Sequence, residues 1–270
     1  MPDNSVVLLD TKEDGRIWIM TMNRPERMNA MGGGMTGELT KAWEAFRDDR
    51  QARVAILTGA GDRAFSAGAD LRDTAESRAR AVAGEPPPPP AEPQRNWIPL
   101  AERLNMWKPT IAAVNGYAIA GGFMMATQCD IRIAAEHARF GVAETRWNMS
   151  GGNWMAPLTR IIGLGHALEL CLWGDTQITA ERAYEIGFVN QVVPKEQLMD
   201  TAMEWASRML DLAPRAVRNI KECLYRGYYL SPLDANALGQ AIEQNLRGMK
   251  DSLEGPRAFT ERRKPVFRDE

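Results

Sequence analysis

Runs and alternations of apolar residues divide the chain into recognisable elements. Residues 16–22 (RIWIMTM) read as a strand. Asn23, Arg24 and Pro25 end it, because proline lacks an N–H and biases the preceding residue away from helix. Residues 36–50 carry Leu39, Trp43 and Phe46 at helical spacing, which predicts an amphipathic helix. Residues 53–58 (RVAILT) predict a second strand, buried on both faces. Strand, helix, strand in that order predicts a crossover unit with parallel pairing.

A loop at 64–70 and a short polar helix follow. Residues 84–96 (GEPPPPPAEPQRN) are rich in proline and predict an exposed, semi-extended insertion beside a site. Residues 111–114 read as a third strand and Asn115-Gly116 as a turn. Gly121 and Gly122 then open a helix to about Gln128. Residues 131–134 and 138–140 read as short strands. Beyond Trp154 the pattern is helical, over 157–163, 166–173, 179–186, 196–212, 215–225, 233–249 and 255–263. The apolar stretch 111–126 is short for a membrane span and contains Asn115. The expected organisation is an α/β core over 1–195 and a helical region over 196–270.

Composition narrows the function classes. With 270 residues the chain can bury a large core without staples. A net charge of −2 gives no basic excess for nucleic acid or a membrane surface. Cys129, Cys171 and Cys223 are odd in number and lack CxxC spacing, which fits a reducing compartment without disulfides. His137 and His166 are the only histidines, so no His-rich metal site is expected. The acidic first residues resemble neither a secretory signal nor a transit peptide, and a cytoplasmic location is the expectation.

Three motifs are decoys. Gly32-x-Gly34-x-x-Gly37 matches a dinucleotide fingerprint on paper, but it lies ten residues past the first predicted strand and no suitable acid follows. Ala64-x-Ser66-x-Gly68 is one residue from a nucleophile elbow, yet Gly59, Gly61 and Asp62 separate it from its strand. Cys129 stands among apolar residues and reads as an inert thiol.

Two other turns carry more chemistry, Ala67-Gly68-Ala69-Asp70 and Ala120-Gly121-Gly122. Small side chains there let backbone N–H groups approach a ligand. The Gly121 N–H would sit at a helix N-terminus, which favours negative charge. Close strand–helix packing would explain either turn taken alone.

The chain resembles the crotonase superfamily, the enoyl-CoA hydratases and isomerases. The resemblance rests on Met22-Asn23-Arg24-Pro25 with Met28-Asn29-Ala30, on 64–71 (AFSAGADL), on 108–122 (KPTIAAVNGYAIAGG), on Cys129-Asp130-Ile131, on 138–144 (ARFGVAE), and on Glu254-Gly255, Ala258-Phe259 and Arg263-Lys264-Pro265 in the tail. It implies a ββα spiral core and a helical C-terminal region that drives trimer or hexamer formation. It implies an acyl-CoA thioester as ligand, so that coenzyme A is part of the substrate and no separate cofactor or metal is needed. It assigns Ala67 and Gly121 N–H to an oxyanion hole for the thioester oxygen. Met28, Ala30, Tyr117 and the loop of Ala67, Gly68, Ala69, Asp70 and Leu71 would hold CoA and substrate.

The sequence departs from the hydratase pattern at one decisive place. Hydratases of the family use two glutamates. Glu144 matches one, but Met124 stands where the other belongs. Water addition divides its proton transfers between two carboxylates, whereas moving a double bond needs one base. Glu144 as single acid/base therefore points to double-bond isomerisation ahead of standard hydration. Hydration stays open if Asp73 or Glu76 takes over the role lost at Met124, and so does acyl-CoA binding without catalysis. Burial in an apolar pocket would raise the pKa of Glu144. Trp147 and Trp154 would shape the acyl pocket. Arg24, Arg27, Arg72, Arg262, Arg263 and Lys264 are candidate partners of the CoA phosphates. An RNA-binding role fails on the 36–50 helix, whose acidic and basic residues nearly balance.

Overall fold

The computed structural model describes residues 5–85 and 100–270. The chain opens with β1 (Val7–Lys12) and β2 (Ile17–Met22), then α1 (Met35–Asp48). Three turns of a repeating motif follow, each a long strand, a short strand and a helical segment. The first is β3 (Val54–Gly59), β4 (Ala64–Ser66) and α2 (Leu71–Val82). After α3 (Leu100–Arg103) comes β5 (Thr110–Val114), β6 (Tyr117–Ile119) and α4 (Gly121–Gln128). The third is β7 (Ile131–Ala135), β8 (Arg139–Gly141) and a 3-10 turn, Glu144–Trp147. Helices α5 (Gly152–Met155) and α6 (Leu158–Leu172), strand β9 (Ile178–Thr179), helix α7 (Ala180–Glu185) and strand β10 (Gln191–Val193) lead into the helical end. That end comprises α8 (Leu198–Leu210), α9 (Pro214–Gly227), α10 (Pro232–Glu243) and α11 (Asp251–Thr260).

The long strands form one sheet in the order β1-β2-β3-β5-β7-β10, parallel except for β1 against β2. The short strands form a second sheet in the order β4-β6-β8-β9, with only β8 and β9 antiparallel. Each motif therefore advances both sheets by one strand, which is a spiral of the crotonase type.

Side-chain alternation assigns the two faces of the large sheet. Met20, Met22, Ala55, Leu57, Ala112, Val114 and Ala134 face inward, against Phe65, Ala118 and Phe140 of the small sheet and Leu39, Trp43 and Phe46 of α1. Ile17, Val54, Ile56, Ile111, Ala113 and Ile133 face outward and are covered by Leu198, Ala202 and Ala206 of α8. Each fully buried Val or Ile contributes roughly 1.5–3 kcal/mol. Helix α8, the first helix of the expected C-terminal region, is thus a layer of the core. The helices after it leave Ile220, Leu224, Leu233, Leu253 and Phe259 exposed.

The strands expected at 16–22, 53–58, 111–114, 131–134 and 138–140 all form, as do α1 and α4. β2, α1 and β3 make the expected parallel crossover. Strands β1, β4, β6, β9 and β10 were not expected. All but β1 are two or three residues long and too short for periodicity to register, and β1 is an edge strand whose last four residues are exposed. The two helices expected at 157–163 and 166–173 are one segment, α6, broken at Gly163 by φ 75° and ψ 158°. The proline-rich insertion lies, from residue 86 on, outside the described residues. Among the described residues no helix is long and apolar enough to cross a membrane.

Candidate active site

Two buried asparagines fix the backbone around the site. Asn29 donates through Nδ2 to the Ala60 and Ala64 carbonyls and accepts the Arg24 N–H. Asn115 donates to the Gly59 and Gly61 carbonyls and accepts the Gly59 N–H. Ser66 donates its hydroxyl to the Asn29 carbonyl at 2.8 Å and accepts the Gly68 N–H. It is fully buried and committed, so the elbow-like pattern around it serves as a tie and not as a nucleophile.

The 67–70 loop and the start of α4 meet at contact distance. A Cβ on Gly68 would lie 2.7 Å from both the Gly121 nitrogen and the Ile119 carbonyl oxygen, and Gly68 has φ +85°. Only glycine tolerates both conditions. A Cβ on Gly122 would collide with the Ser66 carbonyl. Ala120, just before the helix, holds φ 53° and ψ −123°, a strained conformation for a residue with a Cβ. Packing therefore presses the α4 N-terminus onto the loop.

This geometry leaves only one of the two expected donors, Ala67 and Gly121, with a free N–H. The Ala67 N–H donates to the Met28 carbonyl at 2.9 Å, so it is already engaged. The next turn, through Gly68, brings the Ala69 nitrogen to 3.6 Å from the point where a Gly121 Cβ would stand. Neither the Ala69 nor the Gly121 N–H has a protein acceptor among the described residues. Ala69 and Gly121 are the adjacent free donors. The signal that identifies Ala69 is the glycine before it, whose left-handed conformation redirects the following peptide.

Glu144 begins the 3-10 turn after β8 and is only 6% exposed. Its Oε2 atom is buried with no hydrogen-bond partner among the described residues. Burial raises its pKa above the ordinary carboxylate value, and its own N–H and that of Ala143 oppose part of the rise. Glu144 Cγ and Trp154 Nε1 both come within 3.1 Å of a Cβ position on Gly151. The Trp154 ring lies 6.3 Å from that of Phe123, two residues into α4 from Gly121. The two halves of the site are joined through this aromatic pair.

The remaining expected residues divide. Met28 and Ala30 hold the loop through their carbonyls, which accept from the Ala67 N–H and from Arg24 Nη1. Asp70 caps α2, accepting the Arg72 N–H, and pairs with Arg24 at 3.4 Å. Leu71 follows with 43% exposure, and Tyr117 stands 39% exposed at the start of β6. Arg24 is thus tied within the fold, and Arg263 is held by Glu254 and Glu261. Met124 lines a cavity together with Trp154, whereas Trp147 is 46% exposed beside Arg146. Asp73, the candidate to replace the lost glutamate, places its Oδ2 against Gly32. Glu76 is exposed on α2. The Cys129 thiol is buried and its pKa is pushed up to about 12 by that burial and by Asp130, which disfavours the thiolate.

The spiral of paired sheets is the fold that the crotonase resemblance implies. The family model for enoyl-CoA hydratase/isomerase matches residues 12–270, and the chain belongs to that family. It is 37% identical over 256 residues to (E)-benzylidenesuccinyl-CoA hydratase of Thauera aromatica, covering 92% of this chain and 94% of the relative. It is 36% identical over 268 residues to carnitinyl-CoA dehydratase of Escherichia coli, covering 96% and 98%. The crystal structure of an enoyl-CoA hydratase from Bacillus anthracis superposes with a TM-score of 0.85 at 30% identity, over 98% of this chain and all of that one. The chain is accordingly an acyl-CoA enzyme.

Proposed function

We propose that this enzyme holds a thioester oxygen between the Ala69 and Gly121 N–H groups and uses Glu144 as its single acid/base. The observation that carries the reading is the buried Glu144 carboxylate, whose Oε2 has no hydrogen-bond partner among the described residues, in a chain where Met124 stands at the position of the second carboxylate. Glu144 takes a proton from C2 of a 3-enoyl-CoA, the negative charge moves onto the thioester oxygen, and the two N–H groups stabilise it. Glu144 then returns the proton at C4, giving the conjugated 2-enoyl-CoA. Nothing is oxidised or reduced, and no cofactor or metal enters. Each oxyanion donor is worth about 10²–10³ in rate. Remote CoA contacts supply orientation.

Hydration or dehydration is the second reading, favoured by the names of the relatives, which are hydratases and a dehydratase. In that case Glu144 moves the proton of water as well as that of the α-carbon. Incubation with 2-enoyl- and 3-enoyl-CoA esters separates the two. Isomerisation raises absorbance of the conjugated thioester from the 3-enoyl ester and leaves the 2-enoyl ester unchanged. Rapid formation of 3-hydroxyacyl-CoA from the 2-enoyl ester refutes isomerisation and selects hydration.

The apolar residues exposed on α9 to α11 support self-association as a trimer or hexamer, and light scattering on the purified chain gives the mass directly. Activity in the cytoplasm, with an acyl-CoA ester and without nucleic acid or membrane, completes the proposal.

A further inference from the structure

Met124 also lines a groove of about 240 Å³. Met124 and Trp154 form its near end, and Trp154 Nε1 and Glu144 Cγ both lie 3.1 Å from a Cβ position on Gly151. Its far end is built by Arg160 of α6, Tyr225 of α9 and Tyr228 and Tyr229 just beyond α9. Met124 lies three residues after Gly121 on α4, so the groove borders the helix whose first residue carries the Gly121 N–H.

The other charged groups bordering the groove are already committed. Arg132 is buried and donates to the Cys129 carbonyl at 2.7 Å and to the Phe188 carbonyl. Asp130 accepts from Thr110 and from the Tyr225 hydroxyl and pairs with Lys221 at 2.8 Å. Arg160 differs. Its guanidinium lies over the rings of Tyr229 and Tyr228, at 3.8 and 4.6 Å from their centroids. No carboxylate among the described residues lies within 4.0 Å of it. Glu102 of α3 feels the charges of Arg160 and Arg226 from farther away, and Arg226 is itself bonded to Glu222. Stacking occupies the face of a guanidinium and leaves its in-plane N–H donors for a carboxylate, which they match in pairs.

We propose that the groove takes the distal part of the acyl group and that Arg160 binds a carboxylate carried there. The substrate class is then CoA thioesters of carboxylated acyl groups. This rests on the acyl-CoA reading above and specifies its substrate.

The test uses saturated, unreactive ligands, so binding is read apart from turnover. Hexanoyl- and octanoyl-CoA are compared by calorimetry with ω-carboxylated esters of the same chain lengths, using the full chain. The expected result is about tenfold tighter binding of the carboxylated ester for at least one length, from one charge-assisted contact at a partly solvated site. The preference falls to near unity in Arg160→Gln and is partly kept in Arg160→Lys. It also shrinks with added salt in the wild-type protein, which needs no variant to fold. Equal binding of both esters at both lengths, or an undiminished preference in Arg160→Gln, overturns the assignment of Arg160 and leaves the acyl-CoA reading intact. Failure of every ester to bind overturns both.

Discussion

Replacing Glu144 with glutamine separates what the carboxylate does for catalysis from what it costs the fold. The side chain keeps its shape but loses its charge and its capacity to accept a proton. As the sole acid/base, its loss lowers kcat by about 10²–10⁴. Stability moves the other way. Glu144 is 6% exposed and its Oε2 has no partner, so the ionised form is held in place against its solvation. Relief of that cost is worth about 1–2 kcal/mol, reduced because the new amide also lacks partners. In a chain of this size each kcal/mol raises Tm by about 2–4 °C. The gain depends on pH in a definite sense. The folded pKa is raised, so the folded state binds this proton more tightly than the unfolded state. The penalty is absent below the unfolded pKa, grows as pH rises through the folded value, and is constant above it. Thermal unfolding of both proteins at pH 4 and pH 8, beside a turnover assay, makes the measurement. Glu144→Gln should be more stable at pH 8 and nearly equal at pH 4. A variant that retains more than a tenth of the activity, or gains equally at both pH values, refutes the reasoning.

Other outcomes follow from the same geometry. Replacing the Ala69 N–H by an ester oxygen should lower kcat by about 10²–10³, while the same change at Ala67 should cost about 1 kcal/mol in urea unfolding with little change in rate. Gly68→Ala places a Cβ against two backbone atoms at φ +85° and should destabilise by more than about 1 kcal/mol, seen as a lower urea midpoint. Lys221→Met leaves the partly buried Asp130 without its ion pair and should cost about 3 kcal/mol by the same measurement, whereas unaltered stability would show that Thr110 and Tyr225 suffice.

Legibility from sequence followed physical cause. The long strands were readable because a run such as Val54 to Thr58 is buried on both faces and leaves a continuous apolar signature. The short strands of the second sheet were not, since Ala64–Ser66 and Tyr117–Ile119 gain their identity only by pairing with each other. Glu144 was readable through its place in a motif, whereas its orphaned oxygen is a fact of packing. The Gly121 N–H is free as the sequence reading requires of a donor, whereas the Ala67 N–H is engaged. The small residues there are interchangeable in composition, and only the hydrogen bond from Ala67 to Met28 shows which N–H is taken. The proposed role of Arg160 has no signal in the sequence, because it meets Tyr225, Tyr228 and Tyr229 only after about 65 residues of chain have folded back.

The proposed oxyanion donors are main-chain atoms, and this shapes how such a protein can change. No point substitution other than proline deletes an N–H, so the donor at 69 survives ordinary drift in its side chain, while position 121 is held to glycine by Met31 and by the space between the two donors. Position 124, one helical turn away, has no such protection and is free to be a carboxylate or a thioether. Inheritance of the hard part of the chemistry is thereby uncoupled from choice of reaction. A lineage built on this scaffold can exchange one reaction for another by a single residue without passing through an ancestor that has lost its grip on the thioester.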